Sequence, residues 1–286
     1  MTEPASQPTA PTIGVFDSGF GGLTVLRALM HRLPGAKFAF LGDTARLPYG
    51  SKSRRTIARY AAESAQFLVN EQGAEFLVIA CNTASALALD AIQAAVPVPV
   101  LGVIEPGAAA ARAASESGDV LVIATDATVQ SHAYAAACRG LGLRALEKAC
   151  PLLVPLVEEG WVAPSSAMGE VTAEVIRIYL AELMEEAFSA GLNPDVLVLG
   201  CTHYPLLHAF FETAVPAGIR VIDSAQAAAE TAGRLIGRQL ASSKEDHVEN
   251  TRIRCFATDS VEKFERLGSR FLGQPVGRVQ LVDLGG

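Results

Sequence analysis

The sequence predicts an α/β protein made of two pseudo-symmetric, doubly wound α/β domains with a functional site between them. Three observations carry that expectation. Short apolar runs alternate with helical stretches along the chain. A strand–Cys–polar–helix segment occurs twice, about one domain length apart. The chain has 286 residues and half of them are hydrophobic, so two sizeable cores can close without metals or disulfides.

Taken in order, residues 1–11 (MTEPASQPTAP) lack the basic start and apolar run of a secretory signal and read as a disordered tail. The strand candidates follow: Thr12–Asp17, Phe38–Asp43, Phe76–Cys81, Val98–Ile104, Val120–Thr125, Val196–Cys201, Arg220–Asp223 and Arg252–Asp259. Most are continuous Val/Ile/Leu-rich runs, which suit parallel strands buried on both faces. Amphipathic stretches at Ser51–Gln72, Ala84–Val96, Val171–Ala190 and Ala225–Leu240 read as helices. Gly73, Gly118, Gly142 and Gly191 stand where such helices stop. The Pro-rich Val96–Val100 segment (VPVPV) reads as the crossover between the domains.

Composition narrows the function classes. The formal charge of −7 gives no basic field for nucleic acid or an anionic membrane. No run approaches the roughly 20 apolar residues of a membrane helix. The 5 cysteines are odd in number and widely spaced with no C-x-x-C pair, which argues against a disulfide framework or a zinc ribbon. Free thiols in a reducing cytoplasm follow. His31, His132, His208 and His247 show no metal-ligand spacing. Gly19–Gly22 (GFGG) is not a dinucleotide fingerprint. No lysine ends a strand, as a Schiff-base lysine often would.

The repeat concentrates the chemistry. Ala74–Leu87 (AEFLVIACNTASAL) is echoed by Pro194–Leu207 (PDVLVLGCTHYPLL), and Ile13–Gly19 more weakly by Val120–Ala127. In open α/β sheets ligands lie beyond the carboxyl ends of the strands, where Cys81 and Cys201 fall. A single cysteine there is most simply a small buried hydrophobe, and Cys138, Cys150 and Cys255 take that reading. Two at equivalent positions, each before polar residues and a helix start, suggest more. A helix N-terminus stabilises a thiolate, lowering its pKa from about 8.5, and its amides hold a carboxylate. A thiol and a thiolate on opposite sides of a flat carbanion form an acid–base pair suited to racemisation.

Val15–Arg27 (VFDSGFGGLTVLR), Gly42–Gly50 (GDTARLPYG), Ala80–Ala86 (ACNTASA), Gly102–Gly107 (GVIEPG) and Gly200–Leu207 (GCTHYPLL) together resemble the motifs of the glutamate racemase family. They run in the same order over nearly the whole chain. The resemblance implies cofactor-independent interconversion of L- and D-glutamate, supplying D-glutamate for bacterial peptidoglycan, usually by a homodimer. It implies that Cys81 acts on the D-isomer beside Asp17, and Cys201 on the L-isomer beside His203. Ser18, Tyr49, Gly50, Asn82, Thr83 and Thr202 match substrate-binding positions. Thr125, at a strand end, is placed near the substrate. Glu158 looks like a carboxylate near the second thiol, with Glu159 beside it as the alternative. Phe20 stands where a smaller aliphatic residue is commoner. The resemblance also implies that the C-terminal segment returns to the first domain, giving residues 12–98 plus 208–286 for one and 99–207 for the other.

Blander roles stand beside these. Asp17 could cap the helix beginning near Leu23, His203 could be a satisfied core histidine, and Asp126 reads as an N-cap before Thr128. Rival functions are an aspartate or hydantoin racemase and a non-catalytic binding protein with inert thiols. The Thr-His after Cys201 favours glutamate, because relatives acting on aspartate tend to carry an acidic residue where His203 stands. Inhibition of DNA gyrase, known for some family members, usually goes with an N-terminal extension, and only a short segment precedes the first strand here.

Overall fold

The computed structural model describes residues 10–242 and 253–285. Most of the expected N-terminal tail, and Arg252 at the start of the last strand candidate, lie outside the described residues. The first unit runs β1 (Thr12–Asp17), α1 (Leu23–Arg32), β2 (Lys37–Gly42), α2 (Arg54–Asn70) and β3 (Phe76–Ile79). It continues with α3 (Asn82–Leu87), α4 (Leu89–Ala95) and β4 (Val100–Gly102). The second runs α5 (Ile104–Ala114), β5 (Asp119–Ala124), α6 (Asp126–Ser131), α7 (Ala133–Gly140), β6 (Arg144–Ala149) and α8 (Leu153–Glu158). It closes with α9 (Ala167–Ser189), β7 (Val196–Gly200), α10 (His208–Ala214), β8 (Arg220–Asp223) and α11 (Ser224–Ser242). A returning segment adds β9 (Ile253–Ala257), α12 (Val261–Leu272) and β10 (Val279–Leu281).

The strands form a 6-stranded sheet, β10-β9-β2-β1-β3-β4, and a 4-stranded sheet, β6-β5-β7-β8. Every pairing is parallel. The order β2-β1-β3-β4 recurs as β6-β5-β7-β8, so the echo in the sequence is an echo in topology. β3 and β7, which lead into Cys81 and Cys201, hold the same place in the two sheets. Their residues are fully buried because helices cover both faces, which is why they read as unbroken apolar runs. Gly73, Gly118, Gly142 and Gly191 all take positive φ, the left-handed conformation that lets a chain turn out of a helix without a Cβ clash.

Sheet membership divides the chain differently from the boundaries expected at 98/99 and 207/208. β4 belongs to the first sheet and β8 to the second. The Pro-rich segment is therefore not the crossover. It leads from α4 into β4, an edge strand, where a residue without an N–H costs no ladder bond. The connection to the second unit follows β4, because α5 packs on α7, β7 and β8.

Two strands had no signal in the sequence. β6 reads RALEKA and is exposed or half-buried along its length, an edge strand whose polar side chains pair with neighbours: Arg144 with Asp119, Glu147 with His132, and Lys148 with Glu182 and Glu186. β10 is short and, among the described residues, pairs only with β9. Between the sheets, α11 packs against both α1 and α5. α12 lies over α1 and reaches across to α8: Arg270 Nη1 donates to the carbonyls of Val157 and Glu158 at 3.1 and 3.3 Å. Among the described residues no helix is long and apolar enough to cross a membrane.

Candidate active site

Parallel strands put their carboxyl ends on one side of each sheet, and here the two sets of ends face a common cavity of about 410 Å³. β1 brings Asp17 and Ser18 to it, β3 brings Cys81, β5 brings Thr125, and β7 brings Cys201. Tyr49 and Gly50 enter from a short 3-10 turn after β2, and Asn82 and Thr83 from the first turn of α3. Thr202 and His203 follow Cys201, and Glu158 comes from the end of α8. Every residue singled out from the sequence thus lines this one cavity. Glu158 lines it, whereas its neighbour Glu159 is exposed and does not.

Around the first thiol the chemistry is acidic. Cys81 is the N-cap of α3, its sulfur accepting from the Ala84 N–H at 3.4 Å and donating to Ser18 Oγ at 3.4 Å. Asp17 is buried, and its Oδ2 accepts from the Gly19 N–H at 3.0 Å while Oδ1 has no partner. Burial raises the Asp17 pKa against backbone N–H groups that lower it. Burial, followed by the negative charge of Asp17, pushes Cys81 up to about 12. The expectation of a depressed pKa is overturned for this thiol. One amide at a short helix start does not offset loss of water around sulfur.

Around the second thiol the chemistry is basic. Cys201 Sγ lies 3.9 Å from His203 Nδ1, and His203 Nε2 lies 3.3 Å from Glu158 Oε1. Lys263 of α12 donates to Glu158 Oε2 at 3.5 Å. Burial depresses the imidazole pKa, but hydrogen bonds donated to Cys201 and Glu158 and the charges of those groups outweigh it and push His203 up to about 10. Burial likewise opposes ionisation of Glu158, yet His203 and then Lys263 lower its pKa overall. The row is Cys–imidazolium–carboxylate–ammonium, alternating in sign away from the sulfur.

A family model described as Asp/Glu/Hydantoin racemase matches residues 23–232. The chain belongs to this racemase family. A glutamate racemase of Koribacter versatilis is 51% identical to it over 96% of this chain and 98% of that protein. The crystal structure of glutamate racemase isoform RacE1 from Bacillus anthracis superposes with a TM-score of 0.84 at 34% identity, covering 97% of this chain and 99% of that one. The glutamate racemase of Francisella tularensis, solved in complex with D-glutamate, superposes with a TM-score of 0.83 at 34% identity, over 96% and 98% of the two chains.

Among the described residues no Lys or Arg lines the racemase cavity. Donors come instead from hydroxyls and from amides at the helix starts after Cys81 and Thr125. The hydroxyls of Thr83, Thr125 and Thr128 form a closed set at 3.2, 3.4 and 3.0 Å. Asn82 accepts at Oδ1 from Tyr134 at 2.8 Å, and its Nδ2 has no partner. The units also meet at Thr24, whose Oγ1 donates to the Thr202 carbonyl at 2.9 Å. Nearby, a Cβ on Gly21 would run into Thr202 and His203, which explains the glycine.

Two of the blander readings need correction. Asp17 is not the N-cap of α1, a position held by Gly22 with no side-chain cap hydrogen bond, although the Gly22 N–H leads the backbone groups that lower the Asp17 pKa. Asp126 is not an N-cap: Thr125 holds that position, and Asp126 opens α6 while lining the cavity. Leu47, Pro48, Pro151, Val154 and Pro155 also line the cavity and were missed as site residues. Leu47 and Pro48 sit inside the Gly42–Gly50 motif, but apolar side chains there carry no chemical signal. Phe20 packs near the His203 ring, 6.3 Å between centroids, and Phe271 more closely at 5.0 Å. Both keep water from that face of the imidazole. Among the described residues no cluster of His, Cys, Asp and Glu is arranged to hold a metal ion.

Proposed function

We propose that this racemase interconverts L- and D-glutamate with Cys81 and Cys201 as paired acid and base, without a cofactor, supplying D-glutamate for peptidoglycan in the cytoplasm. One observation carries the reading: the two thiols end equivalent strands of repeated units and line the same cavity. The relatives named glutamate racemase and the related structure holding D-glutamate support the choice of substrate.

For L-glutamate, the Cys201 thiolate takes the α-proton, helped by the His203 imidazolium beside it. The electron pair delocalises into the α-carboxylate. Cys81 then delivers its thiol proton to the opposite face, giving D-glutamate and a Cys81 thiolate, and the D-isomer reacts in reverse. Asp17 takes the substrate ammonium at its unpartnered Oδ1, while Asn82, Thr83 and Thr202 hold the carboxylates. Closure of the two units on the substrate expels water, so the fixed donors act at low dielectric on the developing charge. The active form in this reading is a homodimer, which sedimentation tests.

The decisive experiment is purified protein with L-glutamate in deuterated water and no added cofactor, followed by circular dichroism and α-deuterium incorporation. Racemisation with deuterium at the α-carbon is expected. Full activity in Cys201→Ser would end the two-thiol mechanism, and activity on aspartate alone would end the glutamate reading.

A further inference from the structure

Tyr134 is a fully buried phenol on α7 that the proposed chemistry does not use. It belongs to the second unit, yet its hydroxyl crosses to the first and donates to Asn82 Oδ1 at 2.8 Å. Its ring sits in a slot between two glycines. A Cβ on Gly107 would lie 3.1 Å from ring carbon Cε1, and one on Gly200 2.9 Å from Cε2. The neighbouring Ser224 hydroxyl donates to the Leu199 carbonyl at 2.8 Å, and its oxygen also lies within hydrogen-bonding reach of the Tyr134 hydroxyl. Burial pushes the phenol pKa up, so it remains a donor at neutral pH.

An asparagine amide has one accepting and one donating end, and rotation by half a turn exchanges them. Were Oδ1 turned to the cavity, it would repel a carboxylate that Nδ2 would bind. Asn82 has its accepting end taken by Tyr134 and its Nδ2 left without a partner, in a residue lining the cavity. We propose that Tyr134 is a positioning residue that locks the Asn82 amide with its donor end available to a substrate carboxylate. The inference rests on the racemase reading of the cavity and assigns to Tyr134 a part in substrate affinity. Because the bond spans the two units, the amide is locked only when they are docked. The two glycines follow from the same need, since any side chain there would displace the ring.

The test compares wild type, Tyr134→Phe, Asn82→Ala and the double variant, with L- and D-glutamate as substrates. Tyr134→Phe keeps the ring and removes only the donor. It is expected to raise KM about tenfold with kcat changed less than about twofold, as loss of one hydrogen bond to a binding group implies. In the Asn82→Ala background the same change is expected to have no further effect on KM. Equal added effects in both backgrounds, or a fall in kcat with unchanged KM, would overturn the proposal in favour of a structural role. A second measurement is independent of turnover. The Asn82 side-chain amide resonances, assigned through Asn82→Ala, are expected to move in Tyr134→Phe; unmoved resonances would overturn the proposal. Wild type inactive on glutamate would end the functional reading, leaving the amide resonances to decide the hydrogen-bond lock.

Discussion

Cys81 and Cys201 end equivalent strands of two sheets with the same core order, but their neighbours are opposite in charge. Beside Cys81 stands a buried carboxyl, Asp17, and the thiol is pushed up to about 12. Beside Cys201 stands an imidazole raised to about 10 and anchored by Glu158 and Lys263. The repeated topology sets where the sulfurs are. The surrounding loops set what each sulfur feels, and those loops are not copies. β1 ends in Asp17 while its counterpart β5 leads into Thr125. The residue next but one after the cysteine is Thr83 in the first unit and His203 in the second. A chiral substrate presents different groups to the two walls, so a symmetric fold with an asymmetric lining is what the proposed reaction calls for.

The largest effect expected is from the sulfurs themselves. Cys81→Ser and Cys201→Ser should each lower kcat by about 10³-fold or more, since a serine hydroxyl is a far weaker acid than a thiol. Far-ultraviolet circular dichroism should show both variants folded. A variant retaining wild-type rates would remove its cysteine from the reaction.

Asp17→Asn should cost about 10²-fold in kcat/KM. L- and D-glutamate have equal free energy, so kcat/KM must fall equally in both directions. The asymmetry between the thiols instead appears in isotope effects. Asp17→Asn should raise the primary deuterium effect on α-deuterated D-glutamate, and His203→Asn that on the L-isomer. The same effects in both variants would erase the distinction between the two walls.

His203→Asn should be milder in rate, about tenfold or more, and carries a stability signature. The imidazole is only 13% exposed, and its folded pKa is raised from 6.5 to about 10. The folded state therefore binds this proton more tightly than the unfolded chain. Its stabilisation is complete below 6.5 and is lost as pH rises through about 10. The Tm difference between wild type and His203→Asn should shrink over that window by a few degrees, on the order expected for a chain of this size. A constant difference would mean that the imidazole is not held as a cation.

The smallest effect tests the join between the units. Thr24→Val removes the hydrogen bond to the Thr202 carbonyl and should cost about 1 kcal/mol of stability, read by chemical denaturation. A larger loss of activity than of stability would show that this contact also aligns the Cys201 wall.

Much of this was legible in the chain. Alternating apolar runs and helices gave the α/β class, because strands covered on both faces must be apolar throughout. The duplicated strand–Cys–polar segment marked the matched sulfurs, and residues within a few positions of them supplied Asn82, Thr83, Thr202 and His203, while Ser18 came from the Val15–Arg27 motif. These signals are local, and local order follows from residue type and spacing. What only the tertiary structure decided depends on contacts between residues distant in sequence. The assignment of β4 and β8 to their sheets, the edge strand β6 and the choice of Glu158 over Glu159 are of that kind. So is the bond by which Tyr134 turns Asn82. The thiol pKa was misjudged for the same reason: a helix start can be read from sequence, but the burial that outweighs it at Cys81 arises only when the units close around the site.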